Sequence, residues 1–184
     1  MPQLYFRFGT MSSAKTANLL MAVHNHRKQD KKVVAIKPSI DNRFGNDNIK
    51  SRAIEGIIAD IILYPNDTEI NLPDDVKYVY VDECQFLSEY NVIALRALTK
   101  KANVYCYGLR TDYAQRLFPG SATLFRYADV IEELESECTI CSNKAIVNAK
   151  ITDGHVISSG TTDPELDSGE KYKAMCWNCW HNMK

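Results

Sequence analysis

No apolar run in this 184-residue chain approaches the roughly 20 residues that a membrane-spanning helix needs, so no membrane protein is expected. The opening residues are strand-like rather than a charged head followed by the apolar centre of a leader, and the expected compartment is the cytoplasm. Net charge is missing too. With 22 basic and 23 acidic side chains there is no broad polyanion-binding surface, and any nucleic-acid contact would have to be local. Internal repeats and low-complexity tracts are absent, which leaves out solenoids and fibrous chains. Cysteine is present, six times, yet a reducing compartment argues against a disulfide framework, and four of the six fall in two C-x-x-C pairs, which is metal spacing. What remains is an ordinary globular composition, long enough for one compact domain with a small appendage.

The chain is organised around Phe8-Gly9-Thr10-Met11-Ser12-Ser13-Ala14-Lys15-Thr16, between a short apolar run from Leu4 and a helix-periodic segment from Ala17 to His26. In such a strand, loop and helix the backbone N–H groups converge, the helix N-terminus adds positive charge, and a lysine followed by a hydroxyl residue completes a cradle for phosphate and Mg²⁺. Gly9, Lys15 and Thr16 fit the P-loop pattern, but Ala14 stands where its second glycine belongs. The added methyl either crowds a bound phosphate or sits in helical geometry. An ordinary strand-to-helix turn is the competing reading.

Val33 to Ile36 reads as a strand buried on both faces, which Pro38 ends; strand, helix and strand in that order imply a right-handed crossover and a parallel sheet. Asp41 and Arg43 follow in a polar, turn-rich stretch that reads as a surface loop near where such sheets place ligands, or simply as a solvated loop. Apolar runs at Ile57 to Leu63 and Tyr78 to Val81 come next, and the second leads straight into Asp82-Glu83-Cys84-Gln85-Phe86. A strand ending in paired acids supplies the other half of a nucleotide site: Asp82 can hold Mg²⁺, and Glu83 can accept a proton or orient a nucleophile. Further on, Asn91 to Lys100 reads as a helix, Val104 to Leu109 as a strand, Phe118 to Ser121 as a turn, Thr123 to Ala128 as helical and Val130 to Leu134 as the last sheet strand. Cys84 and Cys106, isolated, read as packing residues.

The tail differs in kind. Cys138, Cys141, Cys176 and Cys179 can give four thiolates to one tetrahedral Zn²⁺, a closed shell and therefore a structural metal, with His181 a spare candidate. The 34 residues between Cys141 and Cys176 exceed ribbon spacing, so the metal would tie the base of a long loop with a strand in Lys144 to Ile151. Within it, Thr152 to Lys171 is too polar to pack on itself and suits a lid that orders over a ligand and excludes water.

Met11-x-Ser13-x-Lys15-Thr16, Lys37-Pro38-x-Ile40-Asp41-x-Arg43-Phe44, Ser51-Arg52, Val81-Asp82-Glu83-Cys84-Gln85-Phe86-Leu87, Tyr107-Gly108-Leu109-Arg110-Thr111-Asp112, Leu117-Phe118-x-Gly120-Ser121, both cysteine pairs and Tyr172 occur in order. On these strings the chain resembles, over essentially its whole length, the type II thymidine kinases, the zinc-containing family of cytosolic, bacterial and phage enzymes. The resemblance implies an α/β fold: a P-loop NTPase-type, RecA-like parallel sheet flanked by helices over 1–134, and a small zinc-binding domain carrying the lid over 135–184. It implies transfer of the γ-phosphate of ATP to the 5′-hydroxyl of thymidine, and usually of deoxyuridine. ATP phosphates would meet Gly9, Met11, Ser12, Ser13, Ala14, Lys15 and Thr16, with Mg²⁺ on Thr16 and Asp82. Asp41 and Arg43 would sit where the phosphate transfers, and Glu83 would be the base facing the 5′-hydroxyl. Met11, Glu83, Gln85, Phe86, Leu109, Tyr113 and Tyr172 would contact the nucleoside. The family is generally tetrameric and inhibited by thymidine triphosphate, and neither a membrane nor nucleic acid is an expected partner.

Two departures from the family pattern stand out: Ala14, and a lid run from Thr162 to Lys171 without the usual apolar residues and paired glycines. They keep two rivals in view. One is a P-loop ATPase whose zinc ribbon binds nucleic acid; the other is an inactive P-loop scaffold.

Overall fold

In the computed structural model, residues 1–41, 45, 47–51, 53–160 and 172–184 are described. In chain order the elements are β1 (Leu4–Gly9), α1 (Lys15–Lys28), β2 (Val33–Pro38), β3 (Asn48–Ile49), β4 (Ile57–Ile58), β5 (Ile61–Leu63), β6 (Tyr78–Val81), a 3₁₀ turn (Cys84–Phe86), α2 (Glu89–Leu98), β7 (Asn103–Leu109), α3 (Pro119–Tyr127), β8 (Val130–Glu133), β9 (Val147–Thr152), β10 (His155–Ile157), β11 (Tyr172–Met175) and α4 (Trp177–Asn182).

Six strands form one sheet in the order β5-β2-β6-β7-β1-β8, and every pairing in it is parallel. Alternation along each strand divides the side chains between two layers. Leu4, Phe6, Val34, Ile36, Val79, Val81, Val104 and Cys106 face α2 and α3, where Leu87, Val92, Leu95, Leu98 and Leu124 complete the cluster. The opposite face carries Ala35, Tyr80 and Tyr107 against Leu19, Leu20 and Val23 of α1. Each such fully buried large side chain contributes about 1.5–3 kcal/mol. Cys84 and Cys106 are fully buried, and desolvation pushes both thiols well above their ordinary value, so they pack as expected.

Because all six strands run the same way, the segments that leave β1, β2, β6 and β7 emerge at one edge of the sheet. That edge gathers Thr10 to Ala14, Ser39 to Asp41, Asp82 to Gln85 and Arg110 to Tyr113.

Three local expectations are corrected. The run Ile57 to Leu63 is two strands: β4 pairs antiparallel with β3, while β5 joins the main sheet beside β2. Asp60 causes the break, since its carboxylate accepts from the Ala35 N–H at 2.7 Å and its own N–H donates to the Ala35 carbonyl at 2.8 Å. Phe118 to Ser121 opens α3 rather than forming a separate turn, with Pro119 in the first helical turn, where its missing N–H does no harm. Asp41 is not a solvated loop residue but 4 % exposed.

After β8 the chain forms a three-stranded antiparallel sheet, β10-β9-β11, with its own small core of Val147, Ala149, Val156, Met175 and Trp180. The beginning of the expected lid is therefore a hairpin, turning at Asp153 and Gly154. The lid run 161–171, like Arg43, Phe44 and Arg52, lies outside the described residues.

Candidate active site

Gly9 ends β1 where a side chain would collide with Ser13 Oγ and the Leu134 carbonyl. The loop then needs two left-handed residues, Ser12 at φ 65° and Ala14 at φ 57°, before α1 begins at Lys15. Ala14 thus does not sit in helical geometry; it holds a conformation that glycine adopts freely and alanine only at about 1–2 kcal/mol. Lys15 Nζ bends back to donate to the Thr10 carbonyl at 2.6 Å and to Ser13 Oγ at 3.2 Å.

β1 and β6 are separated by β7, a gap of about 10 Å between backbones. The first turn of α1 closes that gap, because Thr16 Oγ1 donates to Asp82 Oδ1 at 3.2 Å. Asp82 is 5 % exposed. Glu83 follows with φ 49°, a left-handed residue that turns the chain into the 3₁₀ segment. Its Oε2 accepts from Gln85 Nε2 at 2.5 Å, and Gln85 Oε1 accepts from the Leu109 N–H at 3.0 Å. A side chain at Gly108 would strike Gln85 Oε1 and Cys84 Sγ, so this glycine leaves room for the carboxamide that holds Glu83.

Beside the acids, the ammonium of Lys37, 1 % exposed, has three oxygen partners: Asp41 Oδ2 at 3.3 Å and the carbonyls of Gly45 at 3.2 Å and Asn48 at 3.0 Å. A buried charge is tolerated when it is paired and its donors are used in this way.

The far side of the site is aromatic. Phe86 packs edge-on against Phe118 with centroids 5.7 Å apart, and Tyr113 lies 6.5 Å from Tyr172 across the start of β11. Asp112 shapes the turn that presents Tyr113: its carboxylate accepts from the N–H groups of Ala114 at 2.8 Å and Arg116 at 2.9 Å, and pairs with Arg116 Nε at 2.9 Å. Arg116 also donates to the Gly160 carbonyl at 2.8 Å, so both described ends of the lid, Gly160 and Tyr172, meet this turn. Met11, two residues past the end of β1, and Leu109, the last residue of the adjacent strand β7, are both half-buried.

The ligand sulfurs of Cys138, Cys141, Cys176 and Cys179 all lie within 4.8 Å of one another, with Cys141 and Cys176 at 3.6 Å. A tetrahedral ion with metal–sulfur bonds of about 2.3 Å needs sulfurs about 3.8 Å apart, so the four fit one metal. Burial opposes charge on Cys138, yet nearby backbone N–H groups bring its thiol down to about 6, while the neighbouring thiols push Cys179 up to about 12. His181 stands outside this cluster, its ring stacked on Trp177 at 6.2 Å.

A family model described as thymidine kinase matches residues 2–180. The thymidine kinase of Enterococcus faecalis is 36 % identical over 183 residues, covering 96 % of this chain and 93 % of that one. That of Lactiplantibacillus plantarum is 35 % identical, covering 96 % and 94 %, and that of Haemophilus influenzae 37 % identical, also covering 96 % and 94 %. The chain belongs to the thymidine kinase family.

Within that family assignment, the loop from Gly9 to Thr16, the acids Asp82 and Glu83, Asp41, Gln85, Phe86, Leu109, Tyr113 and Tyr172 all lie around one edge of the sheet. Arg43 lies outside the described residues. Both polar ends of Gln85 are used within the protein, on Glu83 and Leu109. Four residues escaped the sequence reading: Lys37, Asp112, Arg116 and Asn148. Lys37 and Asp112 stand inside the recognised strings, but only their burial reveals that they brace the loops. For Asn148 the available signal was a polar residue in the middle of the run Ala145 to Ala149. Among the described residues no helix is long and apolar enough to cross a membrane.

Proposed function

We propose that the protein transfers the γ-phosphate of ATP to the 5′-hydroxyl of thymidine. The observation that carries the reading is the Thr16–Asp82 hydrogen bond, which joins the lysine-bearing loop to the acid pair at the open end of a parallel sheet; family membership supplies the substrate class. The backbone N–H groups from Ser12 to Thr16 would cradle the phosphates, and Lys15 would exchange its bonds to Thr10 and Ser13 for phosphate oxygens. Thr16 and Asp82, whose oxygens are the hard donors that Mg²⁺ takes, would hold that ion, which when bound would neutralise charge on the phosphates.

Glu83 would accept the hydrogen bond of the 5′-hydroxyl, and ultimately its proton, with Gln85 fixing the carboxylate. In a loose transition state much of this contribution is orientation of the hydroxyl. Asp41 and Arg43 would flank the transferring group. Met11, Phe86, Leu109, Tyr113 and Tyr172 would enclose a pyrimidine. A purine would be excluded by size, whereas the 5-methyl group is worth only about 1–3 kcal/mol, so deoxyuridine would also be used. The cysteine quartet would hold Zn²⁺ as a structural ion at the base of the lid, and the main boundary in the chain would fall between residues 134 and 135. Homotetramer formation and inhibition by thymidine triphosphate belong to the same reading and rest on the resemblance alone.

The test is direct. Protein incubated with ATP, Mg²⁺ and thymidine should yield thymidine monophosphate and ADP in equal amounts by chromatography. Formation of no monophosphate above a protein-free control would overturn the reading in favour of an inactive scaffold.

A further inference from the structure

We infer that Asn148 is a positioning residue that fixes the entry of the phosphate loop against the turn presenting the nucleoside wall; the inference rests on the proposed kinase reading. Asn148 lies in β9 and is 4 % exposed. Its Oδ1 accepts from the Met11 N–H at 2.7 Å, and its Nδ2 donates to the Thr111 carbonyl at 3.2 Å. One carboxamide therefore joins three chain segments far apart in sequence: the residue that follows β1 and Thr10, the residue that precedes Asp112 and Tyr113, and the first strand of the cysteine-bearing module.

The choice of side chain follows from the bonds. The site faces an N–H on one side and a C=O on the other, and the side chain that joins them is buried. A carboxamide offers an acceptor and a donor in one planar fork; an aspartate would set a second acceptor against the Thr111 carbonyl, and a leucine would take this partner from both backbone groups. Alternation along β9 adds a further consequence. Val147 and Ala149 enter the small core of the module, while Asn148 and Lys150 point the other way, and Lys150 Nζ lies 5.2 Å from the Tyr113 ring and 6.0 Å from that of Tyr172. One face of one strand thus touches the phosphate loop, the Asp112 turn and the end of the lid.

Two chemical results follow. The Met11 N–H is engaged by Asn148, so the amide cradle for phosphate starts at Ser12, not at Met11. β1 and β7 are paired as far as Gly9 and Leu109, and beyond those ends this bridge holds the phosphate loop against the nucleoside wall, a spacing on which alignment of the 5′-hydroxyl with the γ-phosphate depends. Misplacement of reacting groups by about 1 Å lowers rates by up to about 10²-fold.

The experiment compares full-length wild type, Asn148→Leu and Asn148→Asp, recording thymidine monophosphate formed, ATP hydrolysed without transfer, KM for each substrate, metal content and thermal unfolding. Loss of the bridge in Asn148→Leu should lower kcat about tenfold or more and raise the share of ATP lost to water, with KM for ATP changed less than about threefold. Asn148→Asp keeps the acceptor for Met11 but not the donor to Thr111, so it should raise KM for thymidine more than KM for ATP. Wild-type transfer with an unaltered ratio of hydrolysis to transfer in Asn148→Leu overturns the inference, even if its unfolding temperature drops. Should that variant fail to fold, an unaltered ratio and unaltered thymidine KM in Asn148→Asp overturns it instead. Absence of transfer by the wild type would contradict the kinase reading itself, a separate result.

Discussion

At the proposed phosphate end, three non-glycine residues, Ser12, Ala14 and Glu83, hold left-handed backbone angles, and the acids are fixed by bonds to Thr16 and Gln85. At the proposed base end, Tyr113 and Tyr172 approach only to ring-contact distance, carried by a turn that Asp112 organises and by a strand anchored through the cysteine quartet. The turn at the base end has a left-handed residue too, Gln115 at φ 64°, so the two ends differ in how much strained backbone they carry and in the aromatic surface and tethering of the base end, and that difference matches two tasks. Phosphoryl transfer requires oxygens held within tenths of an ångström, and strained backbone persists where the surroundings over-determine it. Enclosing a flat base requires apolar area and closure, which a tethered segment can provide.

The largest test of that contrast falls on the phosphate end. Glu83→Gln keeps the shape of the side chain and removes the charge; kcat should fall by about 10²- to 10⁴-fold with KM for thymidine little changed and the unfolding temperature preserved. A variant as active as the wild type would take the base role away from Glu83.

Next in size is removal of the metal from the base end. Chelation, or Cys141→Ser, should abolish bound metal by elemental analysis and lower the unfolding temperature by roughly several degrees, because binding energy at such a site is folding energy. The same site gives a pH dependence with a definite sign. In the metal-free site the Cys138 thiol is brought down from about 9 to about 6, so the stabilisation from its thiolate is full above about 9 and is lost as pH falls from there through about 6; protons also compete with a metal for the thiolates, so metal binding weakens in the same direction. Metal retained at pH 5 as firmly as at pH 8 would contradict this.

Asp112→Asn comes third. It breaks the ion pair with Arg116 and weakens the turn beneath Tyr113, at about 1–3 kcal/mol, and should raise KM for thymidine while leaving KM for ATP unchanged. Equal rises in both would mean that the turn serves the whole fold rather than the base end. Smallest is Ala14→Gly, which relieves a left-handed alanine and should stabilise the protein by about 1 kcal/mol in denaturant unfolding, with ATP binding unchanged or tighter. A loss of stability would show that Ala14 is not strained.

How far the sequence revealed each end follows from the same physics. Gly9, Lys15, Thr16, Asp82 and Glu83 were legible because phosphate chemistry demands particular residue types at fixed spacing after a strand, and the continuous apolar runs around them mark strands buried on both faces. The cysteine quartet was legible for the same reason. Gln85 appeared as a nucleoside contact, but a carboxamide has no spacing rule that says whether it turns to a ligand or to Glu83. Lys37 and Asn148 were invisible as site residues, since what makes each one important is a set of partners far away in sequence or a burial that a single polar letter does not announce. The split at Asp60 was missed because an uninterrupted reading of isoleucines ignores what one carboxylate can do to a neighbouring strand.

The central claim is that the lysine-bearing loop and the acid pair act on one bound nucleotide, and a double-mutant cycle on ATP affinity tests it most directly. Calorimetric titration of ATP with and without Mg²⁺ should show that Thr16→Ala and Asp82→Asn each abolish the Mg²⁺-dependent gain in affinity, and that the double variant is no weaker than either one. Losses that simply add, each variant keeping part of the Mg²⁺ effect, would mean that the two residues serve separate sites and would contradict the account.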